Sequence, residues 1–554
     1  MSCRQLAPLA LVCLLTAQPA SAEEPIDWQM VNRIRDEGFN RSQVMPTLEH
    51  LTDVIGPRLT GSPGARAANE WTRDKLTEWG LEDARLEPWG PFGRGWSFSR
   101  VSVHMLAPRQ TPLLAVPQAW TPGTGGQPVR GAAIHVTLEE EEDFAEYEGE
   151  LEGKIVLLSE ARKIEPAEGP VFERFSDQRL DEITAFDLPK PGALRKFIEE
   201  RMKHQAFQKA LNEFLEEEKA AATVVISSRD YGILRVGGAG SRQPDESAGV
   251  PSVAMAAESY NWVLRLLEHD TPVELEIEVA AQFHDDDLMA YNTLAEIPGA
   301  DKAEKIVMVG AHLDSWHAGT GSNDNGAGSA VAMEAVRILR ALGVEPRRTI
   351  RIGLWTGEEQ GLRGSFAHVE SLYASRPEPT DPEEKKRPSY TWAKQWPITV
   401  KPAHEDLSVY FNLDNGSGKI RGIYTQANAA AGPIFRRWLE PFHDLGADTV
   451  TNNDTRGTDH QPFDWVGLPG FQFIQDGLDY STATHHTNLD VFDHARADDL
   501  KQASVIMASF LYHAAMREER FPREPMPQEP PADEELDHEE SQAPKQMAPP
   551  GVSH

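Results

Sequence analysis

The chain has 554 residues, 40% hydrophobic and 25% charged, enough apolar material for two or three domains plus tails. Lys and Arg number 54 against 87 Asp and Glu, a formal net charge of −33. An acidic surface of this kind repels phosphates, which argues against a nucleic-acid partner and disfavours an anionic membrane face.

Residues 1–22 read as a secretory signal peptide. Arg4 supplies a short positive end, Leu6–Leu15 is apolar, and Ala20-Ser21-Ala22 is a small-x-small cleavage site. No later stretch reaches the roughly 20 apolar residues of a membrane span, so a mature chain with no integral membrane segment is expected, periplasmic or extracellular. Both cysteines, Cys3 and Cys13, fall inside the signal. The mature chain then has no disulfide, no thiol nucleophile and no thiolate metal ligand, which suits a bacterial periplasm or exterior better than animal secretion.

Residues 23–111 read as the N-terminal part of the main domain, with Ala65–Trp79 an amphipathic helix behind the Gly- and Pro-rich loop Gly56–Gly64. From 112 to 285 the texture changes. Short β-rich runs (Lys154–Ser159, Ala222–Ser227, Val273–Val279) surround a charged helical stretch, Lys190–Ala221, and the whole reads as an inserted β-rich module. Over 286–520, β runs alternate with helices: Ile306–Val309, helix Gly328–Leu342, Thr349–Trp355, Leu407–Leu413 and Phe471–Ile474. This alternation predicts an α/β fold with a largely parallel sheet flanked by helices. Residues 521–554 are acidic and Pro-rich and are expected to be a disordered tail.

The chemistry sits just after the predicted strands of the last region. The first is followed by His312-Leu313-Asp314 and then the Gly319–Gly328 loop containing Asp324. The second is followed by Glu358-Glu359, the third by Asp414, and the fourth, after a loop, by His485-His486. Ligands of open α/β sheets gather at the carboxyl ends of strands. Each residue alone has an ordinary role, Asp324 and Asp414 as turn formers, Glu358-Glu359 as caps of the following helix. Four strand ends carrying only imidazole and carboxylate, in an expected mature chain without thiols, fit a zinc site better than four independent turns. Three carboxylates and two histidines exceed one tetrahedral ion, so two metals sharing a carboxylate fit best, about 3.5–4 Å apart. Glu358, next to a ligand, suits the general base, and Asp314 suits the outer partner of the His312 imidazole. Asp490 is expected to do the same for His486. A Gly-x-Ser-x-Gly elbow and a phosphate-binding Gly-Lys-Ser/Thr loop are both absent.

At these residues the sequence resembles the M28 family of co-catalytic zinc exopeptidases. The matching pieces are GAHLDSW…GTGSNDNGAGSA, LWTGEEQGLRGS, NLDNGSG and HHTNLD, in the family's order, with IGPRLTGSPGARAANEW upstream. The runs LEGKIVLLSE and AAATVVISS…GVPSVAMA are similar to the protease-associated (PA) insert of many members. The resemblance spans about 45 to 515. It implies that Asp324 bridges two zinc ions, with His312 and Asp414 completing one site, Glu359 and His486 the other, and Glu358 as base. His485 stands where many relatives have a tyrosine that steadies the tetrahedral intermediate. A cis peptide is implied at Asp324-Asn325. Two features depart from minimal members. A charged Pro-rich piece, Arg376–Arg387, is expected at the rim of the entrance, and the paired histidines resemble the carboxypeptidase Q branch. The expected activity is therefore terminal peptide-bond hydrolysis of peptides or dipeptides, of aminopeptidase type, with a dipeptidase as the alternative. A metal-free receptor scaffold and a one-zinc cyclotransferase are the remote ones. Cobalt or manganese fits the same ligand set, and the oligomeric state is open.

Overall fold

The computed structural model describes residues 24–166, 169–186, 193–387 and 389–529. The signal-like residues 1–22 and the end of the tail lie outside them. The apolar runs of the last region become strands Lys302–His312, Arg348–Trp355, Leu407–Asn412 and Gly470–Gln475, all mutually parallel, at the centre of an eight-stranded sheet. Ala290–Ile297 and Glu82–Trp89 extend one side antiparallel, and Ile420–Tyr424 with Thr449–Thr451 extends the other. The fold is thus mixed α/β, as the pattern predicts.

The central strands are apolar on both faces, which is why they read as continuous runs rather than alternations. Val307 and Val309 face a core built with helix Ala327–Ala341 and helix Ala497–Met516, whereas Met308 faces a second core with Trp355, Tyr373, Tyr410 and Phe463. Neighbouring strands end level: His312 stands opposite Trp355, Gly310 opposite Asn412, and Asn412 opposite Gln472. The chain passes from Lys302–His312 to its neighbour on one side, then crosses back to Leu407–Asn412 on the other. That reversal opens a crevice at the carboxyl ends of these two strands.

A second eight-stranded sheet forms the inserted region, but its bounds differ from those expected. It begins with Gly95–Ala107, which pairs along its length with Glu274–His284, so it spans 95–284 rather than 112–285. The polar alternation of Gly95–Ala107 hides this long strand from a reading that looks for apolar runs. The residues at the expected start of the tail pack on the domain. Phe521 is buried against Phe435, Trp438 and Phe471, and Arg523 donates to the carbonyls of His404 and Leu407, both at 2.6 Å. With Asn428 donating to the Pro522 carbonyl and Met526 packed on the second core, this segment lies against the domain despite its Pro-rich composition. Among the described residues no helix is long and apolar enough to cross a membrane.

Candidate metal centre

His312 is the last residue of its strand, and Asp414 lies two residues beyond Asn412. Their strands are adjacent, so the two side chains meet across the crevice, His312 Nε2 standing 3.2 Å from Asp414 Oδ1. Asp324 comes from the loop before helix Ala327–Ala341 and reaches the same imidazole, Oδ1 at 3.2 Å from His312 Nε2. Its other oxygen, Oδ2, faces His486 Nε2 at 3.3 Å, and His486 Nε2 is 3.0 Å from Glu359 Oε2. Asp324 therefore stands between two pairs, His312/Asp414 and Glu359/His486, and presents one oxygen to each. Glu358 Oε2 lies 3.8 Å from His312 Nε2 on the first side. The Asp324-Asn325 peptide is cis.

All of these groups are buried or nearly so, and several polar atoms find no hydrogen-bond partner: His312 Nε2, Asp324 Oδ2, Glu359 Oε1 and Asp414 Oδ1. Orphaned donor atoms converging in a dry pocket fit divalent cations, since unpaired buried polar groups otherwise carry a large desolvation cost. Three overlapping sets, His312/Glu358/Asp414, His312/Asp324/Glu359 and Asp324/His485/His486, each bring one donor atom apiece within 4.8 Å of one another. Hard carboxylates with neutral imidazoles suit zinc.

The electrostatics agree with that fit. Burial pushes Glu358 well above the usual carboxylate range, and the neighbouring Asp414, Asp459 and Glu359 add to the push against the attraction of His312. Burial and Asp324 likewise raise Glu359 to about 7. Burial works against the charge on Asp324 too, but the imidazoles of His312 and His486 hold it well below its ordinary value. Despite its own burial, His486 is raised to about 10 by Glu359 and Asp324. Burial and the neighbouring His486 push His485 down to about 3, so it is a neutral imidazole. Four carboxylates crowded into one buried site push one another's pKa up, a crowding that bound cations would relieve.

Outer contacts depart from expectation at two places. Asp314 does lie at His312 Nδ1, but its backbone carbonyl is nearer, at 3.0 Å, than its carboxylate, at 3.5 Å. The carboxylate instead accepts from Thr60 Oγ1 at 2.9 Å and from the backbone N–H groups of Glu358 and Glu359, both at 3.4 Å. Asp314 thus ties down the turn from which the two adjacent glutamates diverge. Asp490 does not pair with His486: it accepts from the backbone N–H of Asn323 at 2.6 Å and of Asp324 at 3.2 Å. It positions the shared carboxylate rather than the histidine, because its loop returns beneath the Gly319–Gly328 loop. His485 Nε2 lies 3.9 Å from Asp324 Oδ2, its ring 3.7 Å from that of His486. The Arg376–Arg387 piece reaches the inserted region, Lys386 pairing with Asp245 at 3.0 Å and Arg387 donating to Met202 Sδ.

Two residues were not singled out from the sequence. Arg58 is fully buried and donates to the carbonyls of Leu313, Thr320 and Gly321 at 2.6–2.7 Å and to those of Leu51 and Gly56 at 3.1–3.2 Å. It joins the His312 loop to the Asp324 loop; burial lowers its pKa to about 10, and Asp490, Asp314 and Asp324 help it keep its charge. An isolated arginine in a Gly- and Pro-rich loop has no periodic signal, so only the convergence of carbonyls reveals it. Asp459 is buried with Ser365 Oγ donating to Oδ1 and with Oδ2 unpartnered; burial pushes it up to about 8. It sits in a short segment between elements, where a lone Asp resembles a helix cap.

Residues 292–511 match the profile of Peptidase family M28. The chain is 24% identical to human carboxypeptidase Q over 474 residues, 85% of each protein. It is 40% identical to leupeptin-inactivating enzyme 1 of Streptomyces exfoliatus over 180 residues, 32% of this chain and 34% of that one. Among solved structures, a peptidase M28 precursor from Shewanella amazonensis superposes with a TM-score of 0.63 at 22% identity, covering 90% of this chain and 99% of that one. A zinc aminopeptidase from Bacillus subtilis gives 0.52 at 19% identity, covering 86% and 95%; at these identities both likenesses concern the fold. With every residue of the buried donor cluster inside the matched segment, the chain is a metallo-exopeptidase that carries a peptidase family M28 domain.

Proposed function

We propose that this protein is an exported di-zinc exopeptidase of aminopeptidase type, with Glu358 as general base. His312, Asp414 and Asp324 would hold one ion, and Glu359, His486 and Asp324 the other. Bound there, divalent cations would lower the pKa of a shared water and polarise the scissile carbonyl. Glu358 takes a proton from the attacking water and returns it to the departing amine; its raised pKa suits it to carry the proton between the two steps. Asp314 holds the Glu358-Glu359 backbone so that neighbouring carboxylates serve different tasks. His485, a neutral imidazole beside Asp324, donates to the oxyanion that develops on the carbonyl. The export signal of residues 1–22 supports action outside the cytoplasm, and the second sheet is read as a PA-like insert.

The observation that carries this reading is Asp324, whose two oxygens face two separate His/carboxylate pairs at 3.2 and 3.3 Å. The second reading is a dipeptidase, supported by similarity to carboxypeptidase Q along 85% of both lengths. A panel of di- and tripeptides with either end blocked, assayed with and without chelator, separates the two. Loss on N-acetylation alone favours the aminopeptidase; loss with either end blocked favours the dipeptidase. Hydrolysis that persists undiminished after exhaustive metal removal overturns both.

A further inference from the structure

Three of the four strand ends deliver their ligands within four residues of the sheet, but His486 comes eleven residues after Gln475. All ten intervening residues, Asp476–His485, lie outside any strand, and His486 itself adopts φ +60°, a left-handed conformation uncommon for a non-glycine residue. Besides its contacts with the catalytic domain through Lys419, Arg421 and His494, the loop is gripped at both ends by the inserted region. At the start, Glu173 and Leu478 exchange backbone hydrogen bonds of 2.9 and 2.7 Å. Beside them Arg174 pairs with Asp476 at 3.0 Å and with Asp499 at 2.8 Å, the Phe175 N–H donates to Asp476 at 3.0 Å, and Thr482 Oγ1 donates to the Val171 carbonyl. At the far end, the Val236 N–H donates to the carbonyl of His486 itself at 3.0 Å. Leu234 and Asn488 are joined twice, Leu234 N–H to Asn488 Oδ1 at 2.7 Å and Asn488 N–H to the Leu234 carbonyl at 3.1 Å. Arg235 and Thr487 form an antiparallel bridge between these contacts.

We propose that the inserted sheet region is a positioning element for one half of the metal centre: segments 171–175 and 234–236 clamp the Asp476–Asn488 loop so that His486 meets Asp324 and Glu359. This rests on the two-ion reading above. Val236 and Asn488 are positioning residues, acting through His486 rather than touching substrate. The His312/Asp414 half needs no such clamp, because adjacent strands of the catalytic sheet already fix it.

The test compares the full chain with Val236→Pro, which deletes the N–H that reaches His486, with Val236→Ala, which keeps it, and with Asn488→Ala. Zinc per chain and the affinity of each ion are measured by competition with a chelator of known strength, and cobalt absorption spectra report the geometry of each site. Val236→Pro and Asn488→Ala should keep one ion at wild-type affinity and bind the second about 10–100-fold more weakly, with an altered cobalt spectrum, as expected for loss of an outer support. Val236→Ala should match wild type. If Val236→Pro does not fold, as judged by circular dichroism, Asn488→Ala and Arg174→Ala carry the test. Two ions at wild-type affinity in the folded variants overturn the proposal. A wild-type chain that takes up a single ion overturns the two-ion reading, and the proposal with it.

Discussion

The two halves of the proposed metal centre are built in different ways. His312 ends one strand and Asp414 follows the adjoining parallel strand by two residues, so the register of the pair sets their separation, and the strands are buried on both faces. His486 sits on a long loop braced by loop segments of the inserted region, and it meets Glu359, which the Asp314 carboxylate holds by the backbone. A sheet-borne ligand inherits the rigidity of the core; a loop-borne ligand is only as well placed as the contacts that hold its loop. Asp324 is where the two constructions join, and it is itself held by Asp490 through backbone donors and by Arg58 through the carbonyls of its loop.

That contrast can be broken most severely at the junction. Asp324→Asn removes the charged oxygen from both halves at once, so metal content should fall from two ions toward none and activity by at least about 10⁴-fold, more than loss of a single general base costs. Retention of either ion at wild-type affinity would show the halves to be independent of the shared carboxylate. Glu358→Gln should act differently: kcat should drop about 10²–10⁴-fold while both ions stay bound, which metal analysis of the inactive protein can check. Full activity with metal bound would remove Glu358 from the base role. The smallest effect sharpens the comparison through stability. A Cβ at Gly328 would lie 2.2 Å from the Leu413 carbonyl and 2.4 Å from Asn325 Oδ1, in the packed seam beside Asp414. Gly328→Ala should therefore cost about 1–3 kcal/mol and lower the melting temperature of the metal-free chain by several degrees. Asn488→Ala, on the loop-held half, should leave the metal-free melting temperature within about a degree.

Much of the sheet-borne half is legible in the chain because apolar runs end abruptly in polar residues. Ile306–Val309 and Leu407–Leu413 announce buried parallel strands, and the first His and Asp after them face the crevice. Glu358-Glu359 is legible for the same reason. The strand Gly95–Ala107 is not, since its alternating exposure gives it the texture of a loop-rich N-terminal region, and only its pairing with Glu274–His284 assigns it to the second sheet. Asp490 shows the limit of spacing arguments: four residues from His486 in sequence, it serves Asn323 and Asp324 instead, because a loop's side chains go where the tertiary fold offers donors.

What the amino-acid order alone determined was the donor set that the fold gathers: imidazole and carboxylate at four strand ends, in a chain rich enough in apolar runs to bury a sheet. Hydrophobic periodicity is a local property, so it survives in the sequence and can be read there. Which oxygen of Asp324 faces which histidine, which backbone Asp314 and Asp490 secure, how Arg58 gathers five carbonyls and how loop segments of the inserted region grip the His486 loop were decided only by tertiary structure. Those contacts join residues up to several hundred positions apart, and nothing in local sequence encodes a distance across the fold.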